Sequence, residues 1–317
     1  FENQNFTLKL IMNIQSNTSS SWDSEIVTEA VLPSVVLGLC FLIGVPGNIT
    51  VIVVIFRHFK QENFTMKLLL ILAASDILCL ISLPMWIYEL FYGWSFGETS
   101  CKLMMYMVFC SLYGSLLMVT LMSVQRYVQV LYSQYWVRLR GTGEKVLLVI
   151  VWVVACVFAS YSIVLGKVLM DDQIPQCKTN YSSDGQRLAV LLSQTLLGFV
   201  IPFSVMVTSY CCLHRKVKQR TFFINQRMKR LVISIVVTFF IFWIPVHVAN
   251  VAEIFSILLK SSHPAASTKL EKFCSFSENI VGSLSFINSC INPFLYAFAS
   301  RNLIQRCLHA RSHDRIC

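Results

Sequence analysis

Ser285-Phe-Ile-Asn-Ser-Cys-Ile-Asn-Pro-Phe-Leu-Tyr296 sets a proline, two asparagines and a serine inside an otherwise apolar run. A helix in lipid must satisfy its own backbone hydrogen bonds, and Pro293 removes a donor. Asn288, Ser289 and Asn292 are tolerable there only if they face a polar interior shared with other helices. The stretch therefore reads as one bent, membrane-crossing member of a bundle.

Composition agrees. Hydrophobic residues make up 56% of the 317-residue chain and charged residues 13%, against roughly 25% charged in soluble domains, and the mean hydropathy is +0.64. Runs of the roughly 20 apolar residues needed to cross a bilayer occur near 31–56, 65–91, 103–125, 146–165, 188–213, 231–257 and 278–298. The expected fold is an all-α membrane protein, a seven-transmembrane helix bundle. It divides into an extracellular segment (1–30), a transmembrane domain (31–298) and a short amphipathic helix with a cytoplasmic tail (299–317).

Seven crossings put the termini on opposite sides. With the N-terminus outside, the inner loops and tail hold 18 of the 26 Lys and Arg and three acids, about +15, whereas the outer segments carry about −4. The positive-inside rule selects N-out, C-in, expected at the plasma membrane. Basic loops under a membrane meet anionic headgroups and acidic cytosolic partners, so the basic pI points to membrane lipids and not to nucleic acid. Outside lie the sequons at Asn5, Asn17 and Asn180, all glycosylation candidates; those at Asn48 and Asn63 fall in the first span and the first inner loop. No apolar run of signal-peptide length precedes the first span, which is expected to serve as the signal itself.

Most of the twelve cysteines sit in spans and read as small apolar filler. On the outer side are Cys101, at the start of span three, Cys177, in the loop after span four, and Cys274. In an oxidising compartment Cys101 and Cys177 can bridge helix to loop, leaving Cys274 without an obvious partner. In 299–310, Leu303, Ile304, Cys307 and Leu308 share one face, with Arg301 and Arg306 elsewhere. That pattern suits an interfacial helix with Cys307 open to palmitoylation.

Asp76 is the only acid placed mid-span, and an ionisable residue at that depth is functional by default. Asn48, Ser115, Asn288, Ser289 and Asn292 lie at comparable depth. One carboxylate among hydroxyl and amide oxygens suits a hard monovalent cation such as sodium. In span six, Phe239-Phe-Ile-Phe-Trp243-Ile-Pro245-Val-His247 predicts a kink at Pro245 with Trp243 at the hinge. Neither a metal-ligand cluster nor a nucleophile-base pair occurs in the spans, so an enzyme is not expected and no resident cofactor is called for beyond an allosteric sodium ion.

Asn292-Pro293-Phe-Leu-Tyr296, Leu72-Ala-Ala-Ser-Asp76, Gly47-Asn48, Trp152, Phe239-x-x-x-Trp243-x-Pro245 and Gln125-Arg126-Tyr127 together resemble the signatures of rhodopsin-like G-protein-coupled receptors. The resemblance implies a receptor that signals by an outward swing of helix six and activates a heterotrimeric G protein, the inhibitory class by analogy, with arrestin as a further partner. It marks Asp76, Ser115, Asn288, Ser289 and Asn292 as a sodium pocket. Arg126, Tyr210, Trp243, Pro245, Asn292, Pro293 and Tyr296 become the activation switch, with Leu116, Pro202 and Phe239 packed at the hinge. Members usually place an acid before the arginine; Gln125 stands there, which implies a weaker clamp on the resting state.

Within that family, Trp94-Ser-Phe-Gly, Tyr113-Gly-Ser-Leu-Leu, Asp184-Gly-Gln-Arg187 and Phe242-Trp-Ile-Pro-Val-His247-Val-Ala-Asn250-Val-Ala-Glu253 are most similar to leukotriene B4 receptors. The implied agonist is a small lipid, a hydroxylated fatty acid needing an apolar slot, hydroxyl partners and a cation. Tyr113, Gln194, His247 and Asn250 would meet the hydroxyls, and Arg187 and Lys167 the carboxylate, with Glu278 and nearby acids able to neutralise them. Met105, Gln194 and Glu278 depart from the residues expected in those receptors. A chemoattractant peptide or chemokine receptor is the alternative, favoured by the acidic outer face, although residues 1–30 lack the cysteine such receptors pair near span seven. A seven-helix channel or transporter is more remote, since span seven lacks a Schiff-base lysine and no inverted repeat is visible.

Overall fold

The computed structural model describes residues 30–58, 64–171, 174–219 and 226–294. Asn5, Asn17, Tyr296, Cys307 and the expected amphipathic helix of 299–317 lie outside the described residues. Span one is Leu32–His58, span two Phe64–Leu80 followed by Leu83–Tyr92, and span three Glu98–Leu131. Span four is Thr142–Ala159 with Tyr161–Leu165. Span five joins Asp184–Thr195, a π-helical turn at Leu196–Val200 and Ile201–Gln219. Span six is Gln226–Leu259, and span seven Pro264–Ser285, with helix again at 287–294.

The first six are each long and apolar enough to cross a membrane. Span seven carries Lys269, Glu271, Lys272 and Glu278 in its outer half and is apolar in its inner half. It starts well before the apolar run near 278 because the helix is nucleated by Pro264 in its first turn, where a missing N–H has no acceptor to lose, followed by the helix formers Ala265 and Ala266. Hydropathy thus marks where this helix becomes lipid-like, and Pro264 marks where it begins. Span two breaks before Pro84, which cannot donate into the ladder; Ser82 Oγ instead donates to the Cys79 carbonyl at 2.7 Å.

Span three is the axis. Its apolar window is 67% buried, against 17% for span four, so span three runs through the core while span four presents most of its surface to lipid. Leu112, Leu116, Met118, Val119 and Met122 are all buried along it. With no hydrophobic drive between helices in lipid, close approach depends on small residues. At Gly44 an added Cβ would come within 2.6 Å of Leu80 Cδ1 and 2.8 Å of Cys290 Cβ, so span one seats on spans two and seven only because this position is glycine.

At the outer end the hydropathy pattern gave no sign of an antiparallel hairpin, β1 Gly166–Asp171 with β2 Ile174–Thr179, in which Val168 pairs with Cys177. The Cys101–Cys177 disulfide pins it to the start of span three. Trp94 N donates to the Pro175 carbonyl at 2.6 Å and its indole to the Gly97 carbonyl at 2.8 Å. Trp94, 2% exposed, packs on Trp86 and Phe96, which accounts for the Trp94-Ser-Phe-Gly motif as the floor under the hairpin. Asn180, at the end of the hairpin, is exposed and so open to glycosylation.

Candidate functional site

Beneath the hairpin, polar side chains from three spans join in one chain, with a fourth span beside it. Asn250 Nδ2 of span six donates to Gln194 Oε1 of span five at 3.2 Å, and Gln194 Nε2 donates to the Tyr161 hydroxyl of span four at 2.8 Å. Tyr161 in turn stands beside Tyr113 of span three. Three of the residues expected to meet a ligand, Tyr113, Gln194 and Asn250, are therefore brought together. Tyr161, which links them, was missed; the available signal was a phenol at the outer end of an apolar helix, where it would need a partner.

His247, one turn inward of Asn250, is 5% exposed, and both ring nitrogens lack a partner among the described residues. It stacks on Trp243 at 5.6 Å between centroids and lies 4.7 Å from the Phe199 ring. Gly198 faces it: a Cβ there would sit 3.6 Å from both His247 Cε1 and Tyr113 Cε1. The imidazole is thus a donor and an acceptor held in an aromatic wall with neither function used, and burying such a group unpaired is costly.

The two cations stand apart. Arg187 Nε hydrogen-bonds Glu253 of span six in a half-buried ion pair, and its guanidinium lies 6.0 Å from the Tyr181 ring. Burial pushes the Tyr181 phenol up to about 12, so it stays a neutral donor. The acid that neutralises Arg187 is Glu253, one helical turn beyond Asn250 and one of the acids near Glu278 at the outer face. Lys167 is exposed on β1, two residues past span four, opposite Lys178. Lys260 bridges spans six and five through Asp184 at 2.7 Å, a contact that raises the lysine pKa.

Deeper in, Asp76 is 1% exposed. Asn292 Nδ2 donates to its Oδ2 at 2.7 Å and Ser115 Oγ to its Oδ1 at 3.3 Å, with Ser289 close by. Asn48 Nδ2 donates to the carbonyls of Ser289 at 2.8 Å and Gly44 at 3.0 Å, while its Oδ1 and the Ser75 hydroxyl have no partner among the described residues. Asn288 departs from this group, since its amide reaches the Phe239 carbonyl of span six at 3.5 Å. The arrangement can hold a small cation through a carboxylate and several neutral oxygens, and Asn288 instead ties span seven to the hinge of span six.

On span six Phe239 and Trp243 stack at 5.4 Å, so Phe239, Trp243 and His247 form a column at four-residue spacing, with Pro245 inside the same helix. Trp243 Nε1 has no partner among the described residues. Toward the inner end, Arg126 Nε has no partner among the described residues, and Tyr210 of span five stands beside Arg126 and Ser123. Gln125, 1% exposed, turns away from Arg126: it accepts from Thr65 Oγ1 of span two at 3.1 Å and donates to Gln129 at 3.2 Å. Lys67 and the buried Glu144 tie spans two and four nearby at 3.3 Å.

Known proteins resemble this chain along most of its length. The family described as 7 transmembrane receptor (rhodopsin family) covers residues 47–296. Leukotriene B4 receptor 1 of Homo sapiens is 31% identical over 296 residues, 92% of this chain and 83% of that receptor. G-protein coupled receptor E1 of Equine herpesvirus 2 is 30% identical, over 90% of this chain and 75% of its own. C-C chemokine receptor type 8 of Macaca mulatta is 28% identical, over 88% and 79%. The chain belongs to the rhodopsin family of 7 transmembrane receptors and is a G-protein-coupled receptor, a multi-pass membrane protein and not an enzyme.

Proposed function

We propose that this receptor answers a lipid chemoattractant, leukotriene B4 or a closely related hydroxylated fatty acid. The observation that carries the reading is the chain Tyr161–Gln194–Asn250, with Tyr113 beside Tyr161, ending next to a His247 whose two nitrogens have no partner among the described residues. A ligand with hydroxyls spaced along an apolar chain would complete those groups while filling the aromatic wall, and the leukotriene B4 receptors among its relatives support the same ligand class. A carboxylate at one end of that ligand would reach Arg187 by sharing it with Glu253, with Lys167 steering from the rim.

Contact with His247 and Trp243 would bias the Pro245 hinge and swing the inner end of span six, engaging a heterotrimeric G protein of the inhibitory class and afterwards arrestin. Asp76, Ser115, Ser289 and Asn292 would hold sodium in the resting bundle, with Asn288 at the edge of the pocket. Arg126, Tyr210 and Tyr296 would rearrange as it opens. The N-terminus faces outward at the plasma membrane. A peptide or chemokine agonist is the second reading, favoured by the net negative outer segments and by the chemokine receptor relative.

The test is a calcium and cyclic-AMP assay in transfected cells against dihydroxylated 20-carbon fatty acids, their non-hydroxylated parents and a chemokine panel. The lipid reading expects a response to the dihydroxy acids at least tenfold more sensitive than to the parents. A response to chemokines with none to the lipids overturns it.

A further inference from the structure

Spans one and seven meet along a seam of small residues. A Cβ at Gly44 would come within 2.8 Å of Cys290 Cβ and 3.3 Å of its Cα, and one at Gly47 within 3.0 Å of Pro293 Cβ. The two backbones therefore approach more closely than side chains at these positions of span one would permit. Asn48, on the same seam, donates to the Ser289 carbonyl at 2.8 Å. Cys40 lies one turn outward of Gly44 and so on the same face of span one, and its Sγ is 3.5 Å from Cys290 Sγ. Hydropathy reads both cysteines as apolar filler, yet the packing sets two free thiols in contact.

The pair is arranged for oxidation. A disulfide bond is about 2.05 Å long, so sulfurs that start 3.5 Å apart have about 1.5 Å to close. Cys290 is half-buried and Cys40 is 3% exposed, which makes Cys290 the thiol an oxidant meets first and Cys40 the resolving thiol beside it. The Cys290 thiol has two acceptors in reach of its single proton, the Ile287 carbonyl at 3.2 Å and the Cys40 sulfur. In the first step the Cys290 sulfur attacks one oxygen of hydrogen peroxide: an S–O bond forms, the O–O bond breaks, and the second oxygen leaves with the thiol proton as water. In the second the Cys40 sulfur attacks the resulting sulfenic acid: the S–S bond forms, the S–O bond breaks, and hydroxide leaves with the Cys40 proton as a second water. Two thiols lose two electrons and one peroxide gains them. Burial restricts access and slows the first step, so the reaction answers sustained peroxide.

The position gives the bond a consequence. Cys290 directly follows Ser289, whose carbonyl Asn48 holds, and precedes Pro293 by three residues. A bond to Cys40 fastens span seven to span one just outward of that proline, with Asn292 donating to Asp76 at 2.7 Å, and so opposes any rearrangement of that contact. We propose that Cys40 and Cys290 are a modification site at which hydrogen peroxide forms a disulfide between spans one and seven, and that this bond restrains signalling. Neither half depends on which agonist the receptor takes.

The experiment exposes full-length receptor in membranes to hydrogen peroxide, clears the oxidant with catalase, and caps remaining thiols with N-ethylmaleimide before unreduced peptide mapping. A Cys40–Cys290 linked peptide pair is expected, at least tenfold above untreated membranes. Basal guanine-nucleotide exchange, measured without agonist on a panel of purified heterotrimeric G proteins added after the catalase, is expected to fall at least twofold. Cys40→Ser and Cys290→Ser each keep a side chain of nearly the same shape and should abolish both the linkage and the fall. Cys156→Ser should keep both; it removes one member of a second thiol contact, Cys110 with Cys156 at 3.5 Å between spans three and four. Absence of the Cys40–Cys290 linkage, linkage of Cys40 to its neighbour Cys79 or of Cys110 to Cys156 in its place, linkage that leaves exchange unchanged, or a loss of exchange that persists in Cys40→Ser would each overturn the proposal.

Discussion

Glu253→Gln should make the receptor bind a carboxylate lipid more tightly. Arg187 and Glu253 form an ion pair whose side chains are 36% and 20% exposed, so an incoming carboxylate must share a guanidinium that is already neutralised. Two like charges about 6 Å apart repel by about 3 kcal/mol at an effective dielectric of about 20. Partial exposure and salt reduce this considerably, leaving an expected gain of about 1–2 kcal/mol when Glu253 loses its charge but keeps its shape. That is about five- to thirty-fold in affinity. Arg187→Ala should cost the acid a charge-assisted hydrogen bond, about 1.5–3 kcal/mol. A methyl ester carries no charge to repel or attract and should move less than about twofold in either variant. Competition binding of leukotriene B4 and its methyl ester to membranes from wild type, both single variants and the double variant closes the cycle. If Glu253→Gln shifts acid and ester equally, or weakens the acid, Glu253 is orienting the ligand or the helix and the competition argument fails.

Three further outcomes are expected. Asp76→Asn should abolish the dependence of agonist affinity on sodium, because an ion that prefers the resting bundle must lower agonist affinity by linkage; sodium titrations of agonist binding that superimpose on wild type would contradict the pocket. Cys177→Ser should free the hairpin from span three and reduce surface expression or ligand binding severalfold, read by flow cytometry and radioligand binding, since the disulfide is the covalent tie between them. Gln125→Glu should lower basal G-protein turnover at least twofold by giving Arg126 the adjacent acid it lacks, whereas turnover unchanged at equal expression would mean that Gln125 acts only through Thr65.

The bundle was legible because lipid imposes a strong rule. Every spanning stretch must be apolar and helical, so hydropathy located the helices, and the few polar residues inside them had to be interior. Asp76, Asn292, Ser115 and Ser289 met for that reason, and Asn48 stands against the Ser289 backbone. The same rule says nothing about which interior neighbour a polar group takes. Asn288 shares the depth of Asp76 but sits at a different angle round span seven, and its amide found the Phe239 carbonyl instead. The hairpin was invisible to hydropathy because it lies outside the apolar runs and rests on the pairing of Gly166–Asp171 with Ile174–Thr179 and on Cys177.

The outer site was legible in its members more than in its wiring. Tyr113, Gln194 and Asn250 could be named because each is a polar side chain at the outer depth of a different helix. What joins them is Tyr161, a residue whose ring suits an apolar span end and whose hydroxyl is informative only once span four is rotated against span five. Charge pairing was legible only as a set of nearby acids. Glu278 and Glu253 are both acids near the outer ends of helices, and depth cannot rank them; rotation can, because Glu253 lies three residues beyond Asn250 on the face of span six already turned toward span five. Asn250 and Glu253 therefore reach Gln194 and Arg187, which are seven residues apart and so on one face of span five. Two contacts at that spacing lock one face of span six to one face of span five, which is why a ligand that loosens Arg187 from Glu253 would also loosen the helix that has to swing.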